Sequence, residues 1–550
     1  MRISILYLVS AAALLCMGTA QVCAVTSRSH FSSRPQFQSA SPEMVSSFRY
    51  QKNIAEKSSW GGSFQAVLFG GSSTDSDDLA EYLMPFGSSS VSVSENLIAD
   101  ASTTLHAQHF NILSNDFFTD APYAMRDRPA TKDSFKSSIG MRPQEWSVGL
   151  GLKYHQILFN RKSNNPWWMS ISSPLVHVER DVRLQETVEN DGGGLAQVIG
   201  ATSMSQFIAP FTYPETAGVI QGLQSSMQGA LVQPAWLYGK ISSKEQSRTG
   251  FADVEVKVGN VVYQSPSAML DVYAGVLFPT GNKDKAHYLF APQVGNGRHV
   301  GIMGGGTFEW VIKSAEHSSW GFKYESAMNL QYLFANTQKR SFDLNGKPWS
   351  RYAEVYKNKA QATSAAALVP TATAEAFFVR SLLSTPGINV FTQDMHVNPG
   401  FNFTWNNGFV ATHKSWNFEA GYNLHARESE SVHLKHGWTE GPALKAPDGA
   451  GQTNPARDIT ASAVLNQLMP TTTVKSILNY DDSIIKHSDL NLGSAAHPSL
   501  VAHTFYGSCG YRCQDSRLPI GCALGSSYEF PGSNRALTRW AVWAKTDISF

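Results

Sequence analysis

From residue 320 to 334 the chain alternates with a period of two. Trp320, Phe322, Tyr324, Ser326, Met328, Leu330, Tyr332 and Phe334 fall on one face, and Gly321, Lys323, Glu325, Ala327, Asn329 and Gln331 on the other. Such a period marks an extended strand with one apolar and one polar face. Aromatics crowd both ends of the apolar face. Trp320 to Tyr332 spans about 40 Å at ~3.3 Å per residue, or about 28 Å vertically if tilted by ~45°. An outer-membrane strand needs an apolar band ~25 Å tall, rimmed by aromatics. Soluble strands usually have about five or six residues.

The layout recurs. Trp416, Phe418, Ala420, Tyr422 and Leu424 alternate with Asn417, Glu419, Asn423, His425 and Arg427, and Trp146, Val148, Leu150, Leu152 and Tyr154 with Glu145, Lys153 and His155. Val254, Val256 and Val258 oppose Asp253, Glu255 and Lys257, while Val300, Ile302, Phe308, Trp310 and Ile312 oppose His299, Thr307, Glu309 and Lys313. In the final stretch Trp540, Val542, Ala544, Thr546, Ile548 and Phe550 oppose Arg539, Ala541, Trp543, Lys545, Asp547 and Ser549. Further strands are expected near 62–71, 102–114, 167–184, 268–280, 390–405, 499–512 and 520–531. Together they predict an all-β fold, a transmembrane antiparallel β-barrel. About 14 strands are expected, within a range of about 12–16, because single-chain bacterial barrels use even numbers.

Other segments break the alternation. Residues 1–24 carry one positive residue, Arg2, an apolar run from Ile3 to Met17 and small-residue cleavage positions after Ala20 or Ala24. This is the layout of a secretory signal peptide. The Ser-rich residues 25–60 read as a flexible N-terminal segment or plug, and 61–550 as the barrel. Long insertions lie near 186–240, 340–388 and 429–498, with helical spacing in parts of them, including 356–385 and the short stretch 461–469. Excursions of that length belong to the extracellular side or the lumen, since periplasmic turns are short.

Charge and composition narrow the class. The chain has 44 basic and 43 acidic residues, and removing Arg2 with the signal makes them equal. A neutral chain has no electrostatic case for nucleic acid. Charged residues make up 16%, below the ~25% usual for soluble domains. No apolar run after the signal reaches the ~18 residues of a spanning helix. A mean hydropathy of -0.21 is compatible with a barrel that hides its membrane face in alternation.

The polar faces nominate a lumen lining: Lys153, Asp253, Glu255, Lys257, Asp271, Glu309, Lys323, Glu325, Glu419 and Arg427. Their mixed signs imply weak ion selectivity. The same charges also fit a filled interior in which they pair across strands. The expected function is an outer-membrane channel or transporter for passive uptake of small solutes, hydrophobic or aromatic ones among them. A surface-exposed structural or adhesion barrel is the alternative. An outer-membrane hydrolase ranks below both, because neither a Gly-x-Ser-x-Gly elbow nor a His-Glu-x-x-His motif occurs. No enzyme activity, cofactor or metal is expected. The expected partners are outer-membrane lipid, the barrel-assembly machinery and an unidentified solute.

One stretch carries a family resemblance. "TGFADVEVKVGNVVY", "LDVYAGVLFPTGN" and "VGNGRHVGIMGGGTFEW" resemble the repeated core of outer-membrane transporters of the phenol meta-degradation type, in the long-chain fatty-acid transporter superfamily. There a Gly-x-x-Asp strand precedes a strand ending in Pro-Thr-Gly and then a Gly-rich strand. The matching residues are Gly250, Asp253, Pro279, Thr280 and Gly281, within roughly residues 235–335. The resemblance implies a channel or transporter barrel without naming a solute. The Asn-Pro-Ala motif of that superfamily's N-terminal hatch occurs here only at Asn454 to Ala456.

Two local features complete the reading. Trp540, Ile548 and Phe550 resemble the C-terminal signal read by barrel-insertion machinery. Cys513 and Cys522 flank an expected hairpin turn and could bridge it, leaving Cys509 unpaired, or joined to Cys23 if cleavage falls after Ala20.

Overall fold

The computed structural model describes residues 27–47, 61–94, 136–159, 166–190, 232–314, 320–361, 385–444, 484–513, 519–533 and 536–550, except 36, 39, 75, 234, 243, 347 and 353, together with short strand fragments at 109–111 and 218–219. The expected signal peptide, the helical readings at 362–384 and 461–469, and most of the 186–240 insertion lie outside the described residues.

Twelve antiparallel strands close into a barrel, with one further strand beside it. In chain order they are β1 (Gly62–Ser73), β2 (Gln144–Phe159), β3 (Trp167–Asp181), β4 (Gln246–Phe251), β5 (Val254–Gln264), β6 (Ala268–Phe278), β7 (Gly301–Lys313), β8 (Gly321–Leu333), β9 (Gly400–His413), β10 (Trp416–Arg427), β11 (Leu500–Cys513), β12 (Ile520–Ser533) and β13 (Arg539–Ser549). Each barrel strand pairs with its sequence neighbour, and β13 pairs with β1 to close the ring. Outside the ring β4 pairs with one half of β3, whose other half pairs with β5. Closure leaves no open edge, the condition for strands to cross lipid.

The ring has twelve strands rather than about 14, and two of the expected strands are placed differently. The expected strand over 390–405 divides at Gly400, whose positive φ of 71° turns the chain. Thr392–Asn398 joins a separate three-stranded sheet with Asn336–Ser341 and Ser431–Leu434, and only the part from Gly400 onward enters the barrel. In the expected 102–114 strand, His109–Asn111 pairs outside the barrel.

Alternation places the apolar faces outside. Leu68, Leu150, Leu175 and Leu524 occupy the middle of the outer belt, at 58, 40, 41 and 67% exposure. Register joins Leu68 to Leu150 and Ala544, Leu150 to Leu175, and Ala544 to Leu524, so they form a band across neighbouring strands. Outward aromatics gather at both rims. Trp167, Tyr263, Trp320, Trp416, Tyr511 and Phe550 lie at one rim, and Trp146, Phe278, Phe334, Phe401 and Trp540 at the other. Glu145, Lys257, Glu325, Glu419, Lys545 and Asp547 point inward and are buried. Apolar outside and polar inside is the reverse of a soluble barrel and matches a lipid surround.

The two rims differ. At the first, successive strands join through short connections, such as 265–267 and 414–415. At the second, connections run through 74–143, 182–253, 279–300, 334–399 and 428–499. The last two build a cap with its own core, in which Phe342, Leu344, Phe391, Met395, Val397, Ile485 and Leu490 are buried together.

The expected disulfide does not form. Cys509, Cys513 and Cys522 carry free thiols. Pairing sets Cys513 opposite Ile520 and Cys522 opposite Tyr511, so the two cysteines are diagonal neighbours. That separation, about 7–8 Å between diagonal positions, exceeds disulfide reach.

Candidate functional site in the barrel lumen

Residues 27–47 thread the lumen as a strap. The strap starts in the cap, where Ser27 Oγ donates to Asp343 Oδ2 at 2.9 Å and Ser29 N–H to the Ser494 carbonyl at 3.0 Å. It then descends along β10. Arg427 Nη1 donates to Ser32 Oγ at 3.1 Å, Arg34 Nη1 to Asn423 Oδ1 at 2.9 Å, and Ser47 N–H to Glu419 Oε2 at 2.8 Å. These inward β10 residues are spaced by four, so their order fixes the direction of the strap down the barrel. The short helix α1 (Pro42–Val45) ends against β13, where Lys545 Nζ donates to the carbonyls of Met44, Ser46 and Ser47. An ammonium there satisfies orphaned helix-end carbonyls and complements their partial negative charge.

Other contacts fix the strap from the sides. Arg34 also donates to Glu529 Oε2 at 3.1 Å. Arg180 is paired with Glu145, donates to the Phe31 carbonyl and Ser33 Oγ, and lies 4.7 Å over the Phe290 ring. Phe37 enters an apolar region of the inner wall formed by Val67, Phe69, Val176, Val178 and Trp543.

Where strap meets cap, ionisable groups are buried together. His30 Nδ1 donates to Asp284 Oδ2 at 2.9 Å, and Arg340 Nη1 to Glu430 Oε2 at 3.3 Å. Glu430 also accepts the His497 backbone N–H. Burial, then the Arg340 charge, pulls His30 below its ordinary value, so the ring is neutral and its single proton, on Nδ1, makes the hydrogen bond. Burial also lowers His497, while at His299 it brings the value down to about 4. Burial works the other way on Glu430, but nearby positive charge, Arg340 first, holds its carboxyl well below the usual range.

The ten nominated residues take different positions. Glu419 and Arg427 hold the strap. Lys323 pairs with Glu309 at 3.4 Å and with Glu325, and Lys257 with Glu255 at 3.2 Å while lying 4.8 Å from the Tyr273 ring. Lys153, Lys257 and Asp271 line a cavity whose atom-free volume, open mouth included, is ≈ 580 Å³; Trp168, Tyr273 and the strap residues Ala40, Met44 and Val45 line it too. Asp253 faces no pore. It accepts from the Gly281 N–H at 3.3 Å and from both Asn296 nitrogens at 2.7 and 2.8 Å, pinning the 279–300 connection. The Gly-x-x-Asp and Pro-Thr-Gly residues thus form one clasp. Thr280 Oγ1 donates to the Ala252 carbonyl, and a Cβ at Gly281 would sit 2.2 Å from the Val294 carbonyl oxygen.

Sequence reasoning missed Arg34, Glu145, Arg180, Glu529 and Lys545 as site residues. For Lys545 the signal was present, since it falls on the polar face of the last strand. Arg34 sits in a polar segment without period, so nothing local marks its partner. Of the nominated terminal residues, Phe550 and Trp540 face outward, and Phe550 stacks on Tyr154 at 6.4 Å.

No protein-family model matches the chain, and no curated protein matches its sequence. Among solved structures, an outer membrane channel from Pseudomonas putida F1 aligns at a TM-score of 0.35 and 7% identity, over 89% of this chain and 96% of that one. The transport unit of the autotransporter AIDA-I from Escherichia coli gives 0.28 and 6%, over 93% and 96%. A Pseudomonas aeruginosa FadL homologue gives 0.27 and 9%, over 93% and 95%. Scores this low carry no inference about what this chain does.

Proposed function

We propose that this chain is an outer-membrane channel that admits small solutes past a strap seated in its lumen. The observation that carries the reading is the inside-out barrel: a closed ring with an apolar outer belt between aromatic rims and an interior of buried charged and polar groups. Such a surface requires lipid, and a polar interior within lipid supports passage. The rim with short connections then faces the periplasm and the capped rim the exterior. Spaces remain beside the strap. Among them are the cavity lined by Lys153, Lys257 and Asp271 and another lined by Arg34, Phe69, Glu529, Arg539 and Trp543. Membership of the phenol-type transporters, through the Asp253 clasp, belongs to the same proposal. The folded cap favours a second reading as a surface-binding barrel, because it buries its own core beyond the membrane belt.

Full-length protein in liposomes should pass small neutral solutes slowly, and a variant lacking residues 27–47 should pass them at least about tenfold faster. A strapless barrel that folds, shown by heat-modifiable gel mobility, yet passes nothing would overturn the channel reading in favour of surface binding.

A further inference from the structure

Beyond the membrane belt the cap carries a small sheet, in which Asn336–Ser341, Thr392–Asn398 and Ser431–Leu434 run side by side. One face of the sheet is core, with Met395, Val397 and Val432 buried beside Phe342 and Phe391. Parity turns the alternate residues Asp394, His396, Asn398, Ser431 and His433 to the opposite face. Register sets His396 directly across from His433, and Asn398 directly across from Ser431. Both histidines are exposed. Directly opposed positions hold their Cβ atoms ~4.5–5.5 Å apart. Histidines four apart on a helix share one metal ion from a similar spacing of ~5–6 Å. His433 Nε2 lies 3.3 Å from Ser431 Oγ, so its ring leans along the strand toward the Asn398–Ser431 pair. In that pair Asn398 Oδ1 is buried and has no hydrogen-bond partner. Two imidazoles and an unengaged carbonyl oxygen thus belong to one four-residue patch.

We propose that His396 and His433 form a binding site for a divalent transition-metal ion, Zn²⁺, Ni²⁺ or Cu²⁺, on the outer face of the cap. Imidazole nitrogen suits those ions, whereas Ca²⁺ and Mg²⁺ depend on oxygen ligands. The neighbouring charges favour the same class. Asp394 is paired with Lys339 at 3.2 Å, and the Lys435 N–H donates to the Asp394 carbonyl at 2.9 Å. Two lysines around one carboxylate offer a hard cation no net attraction, so affinity comes from nitrogen donation. Among the described residues no group of three or more His, Cys, Asp or Glu side chains is arranged to hold a metal. The pair therefore supplies two ligands, and the other positions fall to water, to Asn398 Oδ1 or to an incoming ligand. Only register joins these two histidines, which is why the sequence by itself predicts no metal. The inference rests on the cap alone and is independent of the channel reading.

Zn²⁺ binding to the full chain, untagged and in detergent, tests it by competition with a chromophoric chelator. His396→Ala and His433→Ala should each weaken the tightest site at least about tenfold, the advantage of a second ligand already held in place. His487→Ala removes another exposed histidine and should leave that site unchanged, and excess Ca²⁺ should not displace the Zn²⁺. Unchanged affinity in either pair variant, or an equal loss in His487→Ala, would overturn the proposal. One equivalent of Cu²⁺ gives a second readout that needs no variant to fold. Its electron paramagnetic resonance should show coupling to two imidazole nitrogens in the unmodified chain, and coupling to fewer than two would overturn the pair.

Discussion

The two halves of the strap are held by different physics. Residues 27–34 sit among buried charges and hydrogen bonds, with His30 on Asp284, Arg34 on Glu529 and Arg427 on Ser32. Residues 37–47 are held by the apolar seat of Phe37 and by strap backbone groups that meet the Lys545 ammonium and the Glu419 carboxylate. Buried charges demand complete partnering, so the upper half should respond to protonation. Apolar fit and a lysine clamp are blind to mild acid, so the lower half should hold where the upper half loosens. A strap fastened in two ways can loosen at one end while the other holds.

The largest effect should come from breaking the lower clamp. Lys545→Met leaves the Met44, Ser46 and Ser47 carbonyls without their donor, and a buried unsatisfied group costs about 1–3 kcal/mol. Amide exchange across residues 44–47 should accelerate at least about tenfold while residues 27–32 keep their protection. Equal acceleration in both halves would show that the strap is one unit.

Acid should act on the upper half alone. The docked values of His30, on the strap, and His497, packed against Phe31, lie below the ~6.5 of a solvated histidine. The docked state then binds fewer protons than the released one, so its stability falls as pH drops below about 6.5. Protonated His30 or His497 would also meet the Arg340 and Arg427 charges, with Asp284 and Glu430 as the acids acting on them. Proteolysis near residues 27–34 should rise between pH 7 and 5 with residues 40–47 unchanged. A flat profile would remove the distinction between the halves.

The smallest effect calibrates the scale. Lys339 and Asp394 pair at 3.2 Å on the cap, but both are more than a third exposed. Such a pair contributes about 0–1 kcal/mol, so Lys339→Ala should leave strap exchange and melting unchanged within error. A marked change would mean that the cap passes strain to the strap.

Much of the barrel was legible because its physics is local. A period of two puts alternate residues on opposite faces whatever their partners, so Leu330 outward and Glu325 inward could be read without knowing β7 or β9. Strand boundaries were less legible. Thr392–Asn398 alternates as a barrel strand does, and only the turn at Gly400 sends it to the cap. The cysteine bridge failed for a related reason. Distance along the chain placed Cys513 and Cys522 across a turn, but pairing register placed them diagonally.

The site was legible only in pieces. Glu419 and Arg427 showed as polar positions on one strand face, but their partners Ser47 and Ser32 lie more than 370 residues away in a segment with no period. The Asp253 motif looked like a functional signature, and its carboxylate holds a loop. Alternation alone determined that the strands have a lipid face and a wet face, because each residue's side follows from its parity. Tertiary structure decided which strands close the ring, which charges find partners and that the polar N-terminal segment fills the lumen. Those outcomes depend on register and on groups distant in sequence, where the free energy belongs to the pair and to neither residue alone.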